Sequence, residues 1–309
     1  SFRGMSSLES AMISGMAHLL SFSGTDTIPA IDALEKYYHA DADKELIGGS
    51  VAATEHSVMC SGSKDGELET FRRLITKVYP SGIVSIVSDT WDLWKVCTEY
   101  LTALKDVVLP RNGKVVIRPD SGDPVKIICG DPNGKTINER KGVIELLWDV
   151  FGGTITNKGY KLLDPHIGAI YGDSINLERA EAICEGLKKK GFASQAVFGI
   201  GSFTYQYNTR DSFGLAMKAT YVEINGEGRE IFKNPVTDDG TKMSATGLLK
   251  VKMENGKFVL LDSVTWKEEK QGELKTVFKN GKLIKEFTLN EIRQRLKNRE
   301  ICRAEEKVA

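Results

Sequence analysis

The sequence predicts an α/β fold of parallel strands joined by helical crossovers, followed by a smaller, mainly antiparallel β region. Three observations predict it. From Ser6 to about Phe213, segments of helical period alternate with short apolar runs, and each run ends in small or charged residues. Beyond Phe213 the pattern changes to short β-rich runs separated by Asn-Gly pairs, a strong hairpin signal. The 309 residues exceed an average domain, so one large α/β domain or two domains are expected.

Element by element, Ser6-Ser7-Leu8-Glu9 reads as a capping box that opens a helix through His18. "LLSFSGTD" reads as a strand ending at Thr25-Asp26, and "SVAATEH" as one ending at Glu55-His56. A helix follows with Leu68, Phe71, Leu74, Ile75 and Val78 on one face. "GIVSIVSD" is a strand ending at Ser88-Asp89; the helix after it carries Leu93, Val96, Cys97, Tyr100, Leu101 and Leu104. Then come the strand "VVIRPD", the helix "IELLWDVF", the strand "IGAIYGD", a helix stopped by Gly191, and the strand "AVFGIGS". About six such β-then-α units imply parallel strands. A closed barrel needs about eight, which leaves an irregular barrel, an open sheet, or strands supplied from elsewhere. Ligand chemistry is expected at the carboxyl ends of the strands, which carry Asp26, His56, Asp89, Arg118, Asp120, Asp173 and Gly201. In the remainder, "MKATYVEINGEGREIFKNP", "LLKVKMENGKFVLLD" and "TVFKNGKLIKEF" read as hairpins, and a last helix starts near Thr288 with Glu291 closing a capping box.

Lys+Arg and Asp+Glu both number 42, so global charge predicts no nucleic-acid or anionic-membrane partner. The 5 cysteines are scattered and none forms CxxC, which speaks against a zinc site or disulfide framework and for a reducing cytoplasm. No apolar run is long enough to span a membrane. The start "SFRGMSSLES" lacks the apolar stretch of a signal peptide; since it does not begin with Met, Ser1 is expected to follow a lost or removed segment.

Several constellations can carry chemistry. In "IRPDSGDP" an apolar run stops on Arg118, Asp120 and Asp123, stiffened by Pro119 and Pro124. Locally this is either a salt-bridged turn or a loop for an anionic, hydroxyl-rich ligand. His56 is the one of 4 histidines at a predicted strand end, placed for acid, base or phosphoryl-acceptor work, although a lone histidine is more often merely packed. In "SGTD", Asp26 or Thr27 suits a helix N-cap unless Asp26 projects into the strand-end mouth. "FGIGSFTYQYNTRD" places Gly199 and Gly201 after a strand, with Arg210 as counter-charge for a phosphate. Arg3, Lys218 and Lys233, read locally, are solvated surface charges.

Taken in order, "SFRGMSS", "GTDT", "TEHS", "VSDTWD", "IRPDSGDP", "GYKLLDP", "YGDSIN", "FGIGS", "TRD", "MKATY" and "FKNPV" resemble the nicotinamide branch of the type II phosphoribosyltransferase family over nearly the whole chain. With that resemblance we read residues 1–212 as an irregular (β/α) barrel core and 213–309 as a β-rich region with a C-terminal helix, part of a second α+β domain. The resemblance implies transfer of the phosphoribosyl group of phosphoribosyl pyrophosphate to nicotinamide, giving nicotinamide mononucleotide and pyrophosphate. The alternatives are nicotinate as the base, or a non-catalytic fragment that binds only a ligand or a partner chain. It implies that Asp26 accepts from the nicotinamide carboxamide, with Ser88 and Arg118 nearby; that Asp120, Gly172 and Asp173 hold the ribose; and that Arg3, Gly201, Ser202 and Arg210 bind the 5′-phosphate. His56 would be phosphorylated in ATP-coupled turnover, and Lys218, Lys233 and Lys242 would neutralise phosphate or pyrophosphate. Magnesium would bind through pyrophosphate and water, not through a protein cage. Where many related chains carry further glycines, this one has Ser202 and Phe203. Related chains carry an N-terminal segment before the position of Ser1 and form head-to-tail homodimers with active sites at the interface. A separate N-terminal piece and a second copy are therefore expected partners.

Overall fold

The structure is a computed structural model that describes residues 4–208, 212, 217–237 and 244–305, with side chains as far as Lys297. Contacts divide the chain into two units: Ser1–Lys218 with Lys233–Met243, and Ala219–Phe232 with Ser244–Ala309.

In the first unit the elements are α1 (Leu8–Leu19), α2 (Ile28–Tyr38), β1 (Ala52–Ala53), α3 (His56–Ser61), α4 (Glu67–Arg73), β2 (Gly82–Val87), α5 (Leu93–Lys95), α6 (Leu101–Val108), β3 (Gly113–Arg118), α7 (Pro124–Cys129), α8 (Ile137–Lys141), α9 (Val143–Phe151), β4 (Gly153–Ile155), β5 (Lys161–Leu163), β6 (Ile167–Tyr171), α10 (Leu177–Lys189), β7 (Ala196–Phe198) and α11 (Ser202–Gln206). π-helical turns at Leu74–Val78 and Val96–Tyr100 follow α4 and α5. Five strands form one parallel sheet in the order β1-β2-β3-β6-β7. The order follows the chain without the reversal of a doubly wound sheet, which is the winding of a barrel. Between β3 and β6 in sequence, β4 and β5 form a separate antiparallel pair.

The middle strands are apolar because helices cover them. Val84, Ile86, Val115, Ile117, Ile167 and Tyr171 are all almost wholly buried, packed with Leu104 of α6, Leu147 of α9 and Ile183 of α10. Each such side chain removed from water stabilises the fold by about 1.5–3 kcal/mol. The register pairs Val87 with Arg118, Ile117 with Ala169 and Tyr171 with Phe198, so the strands deliver their following loops to one edge.

Three sequence expectations shift. "LLSFSGTD" is not a strand: α1 runs to Leu19, and only Gly24 bridges, in parallel, to Gly49. Its apolar residues are not core, since Leu20 and Phe22 are exposed and Phe22 stacks on His18, one helical turn back. The first capping box is built by Ser7 and Ser10, not Ser6 and Glu9, because the helix starts one residue later. "SVAATEH" keeps only two strand residues.

The second unit contains β8 (Tyr221–Ile224), β9 (Glu227–Glu230), β10 (Lys250–Glu254), β11 (Lys257–Leu261), α12 (Trp266–Glu269), β12 (Phe278–Lys279), β13 (Lys282–Leu283) and α13 (Leu289–Glu305). Its strands pair as three antiparallel hairpins, each turning on Asn-Gly (Asn225-Gly226, Asn255-Gly256, Asn280-Gly281) with both turn residues at positive φ, as a type I′ turn demands. Thr288 and Glu291 exchange the bonds of the expected capping box. No helix among the described residues is long and apolar enough to cross a membrane.

Candidate active site at the carboxyl ends of the parallel strands

β1 leads through Thr54 and Glu55 to His56, the first residue of α3. Thr54 is buried, and its hydroxyl accepts from Val87 N–H at 2.9 Å, tying the end of β1 to the end of β2. β2 leads to Ser88 and Asp89, neither of which has any exposed surface. Ser88 Oγ donates to Ile86 O at 2.7 Å, so its hydroxyl is committed to closing the strand end.

Asp89 is the hub of the site. Its Oδ2 accepts from Asp120 N–H at 2.8 Å and from Ser121 Oγ at 2.5 Å. Its Oδ1 faces His56 Nε2 at 3.3 Å; both atoms are shielded from solvent, and the approach is an ion-pair distance without hydrogen-bond alignment. Burial pushes the Asp89 carboxyl up, but the His56 ring, the Ser121 hydroxyl and the Asp120 amide outweigh it and hold the group below the ordinary carboxylate range. Asp89 is therefore an anion at neutral pH, set behind a half-buried imidazole. This is the residue that reading the sequence passed over: it was one of several strand-end acids, and nothing in "VSDTWD" distinguishes a buried hub from an exposed ligand group.

The segment after β3 places its charged residues in different surroundings. Arg118 donates from Nη1 to Thr54 O at 3.2 Å and lies 3.9 Å from Glu55 through Nη2, which turns the guanidinium towards the end of β1. Asp120 is half-buried, its backbone fixed on Asp89. Gly122 has φ +85°, and a Cβ there would come to 3.0 Å from Thr237 O. Asp123 caps α7, accepting from Val125 N–H and Lys126 N–H at 2.9 and 3.0 Å, with Pro124 as the first helical residue. From β6, Tyr171 Oη donates to Gly122 O at 2.7 Å. Burial, and after it the charges of Asp173, Asp120, Asp89 and Asp123, push this phenol well up. Four carboxylates thus converge on one edge and give it a negative field that suits a cation or a sugar centre gaining positive charge.

Gly172 follows β6 and Gly199 follows β7. A Cβ on Gly199 would lie 2.6 Å from Gly172 Cα, so these two strand ends approach as only glycine allows. Ser174 donates to Asp173 at 3.3 Å. Gly201 immediately precedes α11, and Ser202 is buried. Arg3, Arg210 and Lys242 lie outside the described residues. Ser6 and Gln206, which lie near two of them in the chain, exchange two bonds of 3.0 Å: Ser6 N–H donates to Gln206 Oε1, and Gln206 Nε2 donates to Ser6 Oγ.

Residues 233–237 reach the same edge. Asn234 N–H donates to Thr90 O at 3.1 Å, Val236 N–H to Trp91 O at 3.0 Å, and Thr237 Oγ1 lies 2.5 Å from Ser121 Oγ. Lys233, half-buried, heads this segment. Lys218 is exposed. Asp26 is also exposed and does not cap α2, whose N-cap is Thr27; its Oδ1 accepts from Ser50 Oγ at 2.5 Å. His56, Asp89, Arg118 and Asp120 form one connected cluster, Lys233 leads the segment docked on it, and no described contact joins Asp26 or Lys218 to it. On β2, Ser85 has a buried hydroxyl without a hydrogen-bond partner, a free donor that sequence reading did not single out.

A barrel-wound parallel sheet with a histidine–aspartate pair, an arginine and further carboxylates at its carboxyl edge places the chain in the α/β class whose ligand sites gather at the strand ends. Within that class the assignment is specific. The model of the nicotinate phosphoribosyltransferase (NAPRTase) family matches residues 1–282, and the chain belongs to that family. It is 58% identical to a nicotinamide phosphoribosyltransferase of Acinetobacter baylyi over 96% of this chain and 60% of that protein. It is 42% identical to one of Mycoplasma pneumoniae over 80% of this chain and 52% of that protein, and 35% identical to one of Xanthomonas campestris over 94% and 60%. The chain thus spans about 60% or less of the length of these relatives.

Proposed function

We propose that the chain is the greater part of an enzyme that transfers the phosphoribosyl group of phosphoribosyl pyrophosphate to nicotinamide, giving nicotinamide mononucleotide and pyrophosphate. The observation that carries this reading is the cluster of His56, Asp89, Arg118 and Asp120 at one strand edge, in a chain whose relatives bear that activity in their names. Residues 1–212 are the transferase core and 213–309 belong to a second domain, while contacts group residues 233–243 with the core. The working unit is a cytoplasmic homodimer with active sites at its interface.

Displacement at the anomeric carbon leaves that carbon partly cationic as pyrophosphate departs. Catalysis is then positioning plus charge stabilisation at both ends. Asp120, Asp173 and Gly172 hold the ribose hydroxyls at the acidic edge, where the carboxylates favour the developing positive charge. Asp26 accepts from the carboxamide NH2 of the base, an interaction that a nicotinate carboxylate would turn into repulsion. Ser88 and Arg118 flank the base. Arg3, Gly201, Ser202 and Arg210 take the 5′-phosphate. Lys218, Lys233 and Lys242 offset phosphate and pyrophosphate charge. Magnesium would be carried by pyrophosphate oxygens and water; among the described residues no group of three or more His, Cys, Asp or Glu side chains is arranged to hold a metal ion. His56 accepts the γ-phosphoryl of ATP, and Asp89 behind it holds the ring in place and stabilises its charged form.

Product formation from nicotinamide, phosphoribosyl pyrophosphate and magnesium tests the reading. The assay uses this chain alone and the full-length protein, each with and without ATP. The reading predicts nicotinamide mononucleotide, formed faster with ATP, and loss of the ATP effect before the basal transfer in His56→Ala. No product even from the full-length protein, or equal ATP stimulation in His56→Ala, would refute the transferase or the phosphohistidine role respectively.

A further inference from the structure

The Asp89 carboxylate is ionised and can only accept hydrogen bonds. Ser121 Oγ, 2.5 Å from Asp89 Oδ2, must therefore spend its single proton there. The contact between Ser121 Oγ and Thr237 Oγ1, also 2.5 Å, then has one allowed direction: Thr237 donates and Ser121 accepts. Hydrogen bonds so aligned polarise one another, and the effect is larger away from water. Ser121 is wholly buried, and so is Asp89. The chain of donors ends at the carboxylate whose other oxygen faces His56 Nε2 at 3.3 Å. It begins on the segment that Lys233 heads and that two backbone bonds fasten to Thr90 and Trp91.

We propose that Thr237 is a positioning residue: through Ser121 it draws negative charge of Asp89 away from His56, so that docking of the 233–237 segment sets the basicity of the histidine. Undocking that segment, or removing the Thr237 hydroxyl, leaves more of the carboxylate charge to His56 and makes the imidazolium more stable. The other ionisable groups near the pair are Glu55 and Arg118, which meet at 3.9 Å, Asp120, whose amide holds Asp89, and Glu67 on α4, whose pKa burial raises to about 8; Lys233 heads the docked segment. Thr237→Val changes none of these side chains. The link to turnover rests on His56 being the phosphoryl acceptor; the link to His56 basicity does not.

The test is an NMR titration of the His56 ring in histidine-labelled protein, assigned among the 4 histidines by comparison with His56→Ala. Thr237→Val keeps the shape and removes the donor; Thr237→Ser restores it. The proposal expects the His56 pKa to rise by about 0.2–0.6 of a unit in Thr237→Val, the effect of one cooperative bond on a charge-assisted one. Thr237→Ser should match the wild type. An unchanged His56 pKa in Thr237→Val, or an equal rise in Thr237→Ser, overturns the proposal. Labelling with radioactive ATP in the same samples separates the two readings. A pKa rise without phosphorylation of any variant supports the relay while removing the phosphoryl-acceptor role.

Discussion

Replacing Asp89 by Asn tests whether the hub holds the strand-end loops together. The wild-type carboxylate accepts two charge-assisted bonds, at 2.8 Å from the Asp120 amide and 2.5 Å from Ser121, and faces His56 at 3.3 Å. The asparagine keeps one acceptor oxygen and brings two donors into a place that already supplies donors. Bonds to a charged group contribute about 1.5–3 kcal/mol each, and a buried donor left without a partner costs about 1–3 kcal/mol. A loss of about 2–4 kcal/mol follows, allowing for one bond retained by the amide oxygen. For a unit of this size that corresponds to a melting point lower by roughly 4–16 °C. Tryptophan fluorescence is a suitable probe, because Trp91 and Trp94 flank the loop. The pH dependence supplies a control. The folded-state pKa of Asp89 is depressed, so its stabilisation is present in full above the unfolded value of about 3.9 and is lost as pH falls through the folded value. The gap between wild type and Asp89→Asn should begin to close as pH falls below about 4, where the unfolded carboxylate takes up a proton that folded Asp89 resists. A variant that melts within a degree of wild type, or a gap that does not begin to narrow below about pH 4, would refute the hub.

Glu67 makes the opposite case: it is 2% exposed with Oε1 unpartnered, and burial, then the charge of Asp92, raise its pKa to about 8. A raised carboxyl binds its proton more tightly when folded, so it lowers stability as pH climbs from about 4.3 towards 8 and adds nothing further above that. Glu67→Gln should abolish a pH-dependent loss of a few kcal/mol between pH 5 and 8.5, measured by urea unfolding; identical slopes in both proteins would contradict the burial argument. Gly199→Ala places a methyl 2.6 Å from Gly172 Cα, and only a backbone shift can relieve it. It should raise the KM for phosphoribosyl pyrophosphate several-fold, and unchanged kinetics would show that the glycine contact does not shape the ribose and phosphate site. Asp26→Asn should reduce the preference for nicotinamide over nicotinate, read as the ratio of kcat/KM values, and an unaltered ratio would remove Asp26 from base selection.

Much of this site was legible because parallel strands share one polarity: once "GIVSIVSD", "VVIRPD", "IGAIYGD" and "AVFGIGS" are strands, their ends must meet. In "IRPDSGDP" the structure adds what sequence reading had not assigned: Gly122 takes a positive φ, and Asp123-Pro124 is a cap and first helical residue. What sequence could not separate was one strand-end aspartate from another. Asp89 and Asp120 follow the same kind of apolar run, and only burial and the partners across 31 residues make the first a wholly buried hub and leave the second half-buried. "LLSFSGTD" misled for a related reason: Leu20 and Phe22 carry the apolar content of a strand yet lie exposed, so hydrophobicity there does not report burial in this chain. The Ser121–Thr237 contact, 116 residues apart, has no local signature at all.

The central claim is that this strand edge joins nicotinamide to a phosphoribosyl group. Its most direct measurement is a competition in which the full-length protein receives equal nicotinamide and nicotinate with phosphoribosyl pyrophosphate and magnesium, and both mononucleotides are quantified by mass spectrometry. The account predicts nicotinamide mononucleotide in large excess, and a predominance of nicotinate mononucleotide would contradict it.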